Sequence, residues 1–117
     1  QKAGVPGMTV KDGVVNGQMV RTLRDTGCST VVVRKGLVEE EQFTGEKRTC
    51  ALMNGMVIEE PMAKIRIDTP YVKGTVEAMC MENPLYDLVI GNIKGARSPY
   101  DPDPQWTAEA AAVETRA

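Results

Sequence analysis

Apolar and polar residues follow one another along the chain in short runs, and turn-forming residues separate these runs. Residues 63–67, Ala-Lys-Ile-Arg-Ile, alternate strictly between apolar and charged side chains, which is the two-residue period of a strand with one buried face. Residues 75–81 also alternate, with Val76, Ala78 and Cys80 on one side. Strands of this length, with turn signals between them, predict an all-β domain built as a mostly antiparallel barrel or sandwich.

Two Asn-Gly pairs predict the positions of tight hairpin turns. Asn16-Gly17 and Asn54-Gly55 each interrupt an apolar run. An Asn-Gly pair readily supplies the two positive φ angles that a type I′ turn requires. We therefore expect a two-residue hairpin turn at each pair, the second of them flanked by arms at residues 50–53 and 56–58.

The most informative stretch is residues 23–30, Leu-Arg-Asp-Thr-Gly-Cys-Ser-Thr. An apolar strand leads into it and a β-branched strand follows, so we expect a tight turn that holds the carboxylate of Asp25. Gly27 allows the backbone to turn closely behind the acid, and Thr26 and Ser29 carry hydroxyls that can bond nearby backbone or the carboxylate. The bare tripeptide Asp-Thr-Gly is also common in plain surface turns, and that interpretation stays open from these residues alone.

A second apolar strand ends in glycine further along the chain, at residues 87–92, Asp-Leu-Val-Ile-Gly-Asn. Together with the Asp-Thr-Gly stretch and the hairpin between them, this resembles the retropepsin-type aspartic proteases of retroviruses and LTR retrotransposons. The resemblance covers residues 14–95. It implies a retropepsin-like closed barrel of short antiparallel strands with a flap hairpin and little helix.

The resemblance also implies which residues form the site. Asp25, Thr26 and Gly27 would be catalytic, and the hairpin at residues 50–58 would be a mobile flap that closes over bound peptide. Residues near the motif and in the flap would contact the substrate, namely Ser29, Met53, Asn54, Gly55, Met56, Ile90 and Gly91.

A single Asp-Thr-Gly implies two chains, because aspartic proteolysis uses two carboxylates that share one proton. The sequence is too short for a two-lobed enzyme, so we expect a homodimer in which each subunit contributes Asp25. By resemblance, Thr26 would bond its counterpart across the two-fold axis. The expected function is an aspartic endopeptidase that cleaves its own polyprotein. The alternatives are a catalytically silent retropepsin-like module for protein binding or dimerisation, and an unrelated small β-barrel.

Composition excludes several other chemistries. The 117 residues carry a formal net charge of −2 and include no histidine, which excludes Ser-His-Asp and Cys-His catalysis and histidine-ligated zinc. We expect no metal, cofactor, nucleic-acid partner or membrane association. The three cysteines show no disulfide framework, so we expect an intracellular protein, cytoplasmic or within virus-like particles, and not a secreted one.

Two features depart from the family pattern. Arg24 stands where an aliphatic residue usually precedes the catalytic Asp, and a buried guanidinium needs a partner; we expect it to pair with a carboxylate, Asp87 being a candidate, or to reach solvent. The residue after Gly91 is Asn92 rather than the usual Arg. Residues 1–95 are expected to form the protease domain, and residues 96–117 a Pro-rich linker and tail. In retroviral members the chain termini join the two subunits, and this tail does not resemble their terminal strand. Dimerisation is therefore expected to be weak or differently built.

Overall fold

The computed structural model describes residues 8–51 and 54–111. In these ranges 3-10 helices at Lys35–Leu37 and Glu40–Gln42 connect the third strand to the fourth, and residues 108–111 are helical. None of the helices in the described ranges has the length and apolar character needed to cross a bilayer. The strands are β1 (Met8–Val15), β2 (Gln18–Asp25), β3 (Val31–Arg34), β4 (Phe43–Ala51), β5 (Val57–Asp68), β6 (Lys73–Met81) and β7 (Leu88–Ile90).

The strands form one curled sheet in the order β1-β2-β7-β3-β6-β5-β4. The sheet nearly closes on itself, because the end of β1 also pairs with β5 through Val14 with Asp68 and Val15 with Ile67. Most neighbours are antiparallel, while β2–β7 and β3–β6 are parallel. The predicted all-β class is confirmed, and β4 extends outside the ring as an edge strand.

The alternation of apolar and charged residues predicts the core correctly. In β5 the side chains of Ala63, Ile65 and Ile67 are fully buried, while Lys64 and Arg66 between them are exposed. Burial of the two isoleucine side chains contributes about 1.5–3 kcal/mol each. The same face carries the other members of the core cluster, including Val15, Val20, Val31, Val33, Tyr71, Ala78, Cys80, Leu88 and Ile90.

The first Asn-Gly turn has the predicted geometry. Asn16 has a φ of 49° and Gly17 a φ of 84°, and Val15 pairs with Gln18 across the turn. The Asn16 amide also donates to the Leu37 carbonyl over 2.9 Å and to the Gln42 side chain over 2.8 Å. The turn is therefore attached to the connection between β3 and β4.

The second hairpin also forms, but its register differs from the prediction. Ala51 pairs with Val57, whereas an uninterrupted two-residue turn at Asn54-Gly55 would pair Ala51 with Ile58, so the expected register is wrong by one residue. The backbone N–H of Met56 donates to the Asn54 side chain over 3.0 Å, so a hydrogen bond within the loop stabilises its turn. Met53, expected to contact substrate, lies outside the described residues.

Residues 96–111 follow the surface of the barrel, and we call them the C-terminal strap. The Asp103 N–H donates to the Pro70 carbonyl over 2.8 Å, and the Trp106 indole N–H donates to the Asp68 carboxylate over 2.8 Å. Ala111 is 2% exposed. The strap thus contacts the β5–β6 turn near the short β1–β5 pairing that closes the sheet. The division of the chain after residue 95 stays a prediction.

Candidate active site

Asp25 is the last residue of β2, and the turn that follows folds back onto it. One carboxylate oxygen, Oδ1, accepts a hydrogen bond from the Gly27 N–H over 2.8 Å, and the Asp25 carbonyl accepts one from the Cys28 N–H over 3.2 Å. A Cβ at position 27 would lie 3.3 Å from the same carboxylate oxygen. The side chain of Asp25 is therefore oriented by the backbone of its own turn.

The segment after β7 holds this turn from the other side. The Gly91 N–H donates to the Thr30 carbonyl over 2.9 Å, and the Asn92 N–H donates to the Cys28 carbonyl over 2.8 Å. The Asn92 side-chain amide adds a bond to the Thr26 carbonyl over 2.8 Å. We call these contacts the loop latch, because they join residues 26–30 to the chain that leaves β7.

The strand pairing explains why these segments meet. β7 lies between β2 and β3, the strands on either side of the loop, and Ile90 pairs with Arg24 on one side and with Val31 on the other. The residue after Ile90 must therefore cross directly beneath the loop. A Cβ at Gly91 would lie 2.5 Å from the carbonyl oxygens of both Cys28 and Thr30, so only glycine fits there without moving the backbone.

The structure places most of the expected site residues in two groups. Asp25, Thr26, Gly27 and Ser29 form the turn, with Thr26, Gly27 and Ser29 exposed, and the pair at the end of β7, Ile90 and Gly91, lies beside it. The other group is the tip of the β4–β5 hairpin, where Asn54, Gly55 and Met56 are also exposed.

The tip of the β4–β5 hairpin presents apolar side chains to solvent. Met56 is 59% exposed and Val57 is 62% exposed. Burial of such side chains under a partner lowers the free energy. The thioether of Met56 can adapt to varied apolar surfaces.

The expected environment of Arg24 is wrong. Arg24 is 4% exposed, so it does not reach solvent, and Asp87 pairs instead with Arg34 at 2.7 Å. The Arg24 guanidinium donates to two backbone carbonyls, that of Arg97 over 2.7 Å and that of Ile90 over 3.2 Å. The strand register is the reason, because it sets Ile90 beside Arg24 and leaves Asp87 beyond the far end of β7.

Tyr71 lies in the same buried region as Arg24. Its hydroxyl is 2.8 Å from the Thr9 hydroxyl. Burial raises the pKa of Tyr71 above its usual value, while the bond to Thr9 and the positive charge of Arg24 oppose that rise. The phenol is therefore neutral at ordinary pH, and Arg24 has no anion among these neighbours.

Sequence reasoning missed two contributors to the site. Asn92 stood out in the sequence only as a departure from the family pattern, although its position next to Gly91 was a signal that it adjoins the loop. The carbonyl of Arg97 gave no signal, because a backbone acceptor is independent of residue type.

Comparison with known proteins bears on the fold alone. No model of a known protein family matches the sequence, and no curated protein matches it. The fold is similar to the solution structure of the simian foamy virus (mac) protease, with 12% identity over 80% of this chain and 90% of that chain and a TM-score of 0.51. A Legionella pneumophila protein of unknown function has 15% identity over 85% of this chain and 94% of its own, with a TM-score of 0.47. The fold is retropepsin-like.

Proposed function

We propose that this chain is an aspartic endopeptidase that acts as a homodimer, with one Asp25 from each subunit. The observation that carries the proposal is the Asp25 turn itself. Its carboxylate is fixed by the Gly27 N–H at 2.8 Å, and the turn is held on the end of β7 by the loop latch. This geometry occurs within a retropepsin-like fold, and it supplies one of the two acids that the reaction needs.

The chemistry requires the two Asp25 side chains to share one proton. Two carboxylates in close contact cannot both ionise, so one is a base and the other stays protonated. The base takes a proton from water, whose oxygen attacks the peptide carbonyl carbon, while the protonated acid donates to the carbonyl oxygen. The acid that took the proton from water then gives it to the amine nitrogen as the C–N bond breaks, and the carbonyl re-forms as its oxygen returns its proton to the other acid.

The proposed substrate is an extended peptide segment, with the chain's own polyprotein as the natural source. An extended segment can pair through its main chain while its alternate side chains enter pockets. The exposed apolar side chains of Met56 and Val57 support this idea, because a peptide under the flap would cover them. Thr26 and Ser29, which are exposed in the single chain, would be covered by the second subunit or by substrate.

The first test is peptide cleavage at mildly acidic pH, with and without pepstatin. We expect Asp25→Asn to abolish cleavage and to leave the thermal unfolding midpoint nearly unchanged, since the side chain is partly exposed. Asp12→Asn is the matched control, because among the described residues the Asp12 carboxylate pairs only with Arg21, and this pair is exposed. Cleavage by Asp25→Asn at the unmodified rate would overturn the proposed mechanism.

A mixing experiment tests whether two chains build one site. Excess Asp25→Asn chain is added to a fixed amount of unmodified chain, and cleavage is followed after the subunits exchange. Mixed dimers contain one acid, so we expect the rate to fall as the inactive chain is added. An unchanged rate would contradict a shared site. A chain that dimerises but cleaves none of the tested peptides would instead support the catalytically silent module.

A further inference from the structure

We propose that Arg24 is a positioning residue for the Asp25 turn, and that it makes the C-terminal strap part of the support of the active site. Arg24 precedes Asp25 in β2 and binds the Ile90 carbonyl of β7 and the Arg97 carbonyl of the strap. The catalytic consequence rests on the proposed function, whereas the structural role of Arg24 can be tested without it.

Arg24 carries a full charge into the interior of the barrel. The Arg24 residue is 4% exposed, and a buried guanidinium is costly unless its N–H groups are bonded. Hydrogen bonds from a charged donor are shorter than neutral ones and roughly twice as strong. The bond of 2.7 Å to the Arg97 carbonyl fits that description. These contacts are therefore firm attachments between segments that are far apart in sequence.

The hydrogen bonds of Arg24 lie directly beside the loop latch. Ile90, whose carbonyl accepts from Arg24 at 3.2 Å, is directly followed by Gly91, whose N–H bonds the Thr30 carbonyl at 2.9 Å. Arg24 is itself directly followed by Asp25. The guanidinium thus joins the two chain segments that meet at the turn, one residue away from the turn on each side.

Hydrogen bonds hold the C-terminal strap in place where Arg24 contacts it. The Arg97 N–H donates to the Tyr71 carbonyl over 2.9 Å, and the Arg97 side chain donates to the Asp101 carbonyl over 2.7 Å. The Tyr71 ring is 1% exposed and fixed in the core. The carbonyl that Arg24 binds is therefore held in place by the barrel, and the strap can transmit that constraint to β2.

Three variants of the full chain test the proposal. Arg24→Leu inserts the aliphatic residue that is usual in the family pattern, and Arg24→Lys keeps the charge and three N–H donors. Arg21→Leu is the matched control, since Arg21 lies on the same strand but is exposed and, within residues 8–51 and 54–111, forms an ion pair only with Asp12. For each chain, kcat and KM are measured with enzyme well above the concentration needed for dimerisation, and backbone amide exchange is followed by NMR.

We expect Arg24→Leu to lower kcat by about 10²-fold, the size of effect that a small misplacement of catalytic groups produces, with KM little changed. The Gly91 and Asn92 amides are expected to exchange at least about tenfold faster, while amides of β5 and β6 keep their protection. Arg24→Lys is expected to retain part of the kcat and part of the amide protection that Arg24→Leu loses. Arg21→Leu is expected to behave like the unmodified chain.

The proposal is overturned if Arg24→Leu keeps both its kcat and its Gly91 exchange rate, even when its unfolding midpoint falls, because Arg24 would then only support the fold. If Arg24→Leu does not fold, Arg24→Lys is judged by the same two measurements. If the unmodified chain cleaves no peptide, the proposed function fails alone. The exchange of Gly91 then still decides whether Arg24 holds the latch.

Discussion

The backbone N–H of Gly91 lies 2.9 Å from the carbonyl oxygen of Thr30, and this contact exists because position 91 has no side chain. It joins the end of β7 to the loop that begins at Asp25. The orientation of the Asp25 carboxylate therefore depends on a residue that is distant in sequence and has no functional group of its own.

Gly91→Ala is expected to displace this loop. The added Cβ would lie 2.5 Å from two backbone carbonyl oxygens, which cannot move aside as a flexible side chain would. We expect a loss of about 1–3 kcal/mol in the free energy of unfolding, the usual cost of overpacking, together with loss of cleavage. Urea unfolding provides the measurement. Gly36→Ala is the control, since a Cβ there meets nothing within 4 Å, and an equal effect of both substitutions would contradict the prediction.

Asn16→Gly is expected to keep the first hairpin turn but to loosen its attachment. Glycine accepts the φ of 49° at this position, so the expected loss of about 1–3 kcal/mol in unfolding free energy comes from the missing bonds to Leu37 and Gln42. Asn54→Gly is the matched comparison, because its side chain bonds only the nearby Met56 N–H among the described residues. Denaturant unfolding of both variants should show a clearly larger loss at position 16.

Trp106→Phe is expected to weaken the attachment of the C-terminal strap. The indole N–H donates to Asp68 over 2.8 Å, and Asp68 is 4% exposed, so phenylalanine leaves a buried carboxylate oxygen without this donor. A loss of about 1–3 kcal/mol is expected. The measurement is a double-mutant cycle with Asp68→Ala, which removes the acceptor, followed by urea unfolding. A coupling free energy of zero would show that the strap and β5 are energetically independent.

Stability is expected to fall at alkaline pH because of Cys80. Burial raises the pKa of the Cys80 thiol from 9.0 to about 11, against the opposing charge of Lys35. Above pH 9 the thiol of the unfolded chain ionises while the folded one stays protonated, so this contribution is complete below pH 9 and is lost as pH rises toward 11.

The expected slope is about 1.4 kcal/mol of unfolding free energy per pH unit from this group. The raised pKa of Tyr71 acts in the same direction above pH 10. Unfolding in urea across this range, with Cys80→Ala as the comparison, measures the effect. A Cys80→Ala chain with an undiminished slope would assign the pH dependence to other groups.

The two Asn-Gly pairs show where sequence reasoning succeeds and where it ends. Asn16 forms the predicted turn because its side chain and the core-facing strands on both sides agree with the local preference. The second pair closes a hairpin whose β4 strand is mostly exposed and carries an irregular register between Phe43 and Lys47. Few buried contacts fix the register of this hairpin, so the local preference of Asn-Gly predicts that a hairpin forms but not which residues pair.

The candidate site was also predictable only in part. The Asp25 turn and the glycine that ends β7 are local patterns, and their placement side by side follows from the retropepsin-like fold. The partner of Arg24 was not predictable, because a guanidinium suggests a carboxylate and the structure supplies the carbonyls of Ile90 and Arg97. The acid that was expected, Asp87, is occupied by Arg34.

The attachment of the C-terminal strap has a practical consequence for anyone who excises this domain for expression. A polypeptide ended at residue 95, where the composition changes, would lose one of the two carbonyl acceptors of the buried Arg24 guanidinium and would lose the indole donor to the Asp68 carboxylate. Such a fragment is expected to aggregate or to be degraded during purification. A fragment that keeps these contacts must extend at least through Ala111, which is 2% exposed.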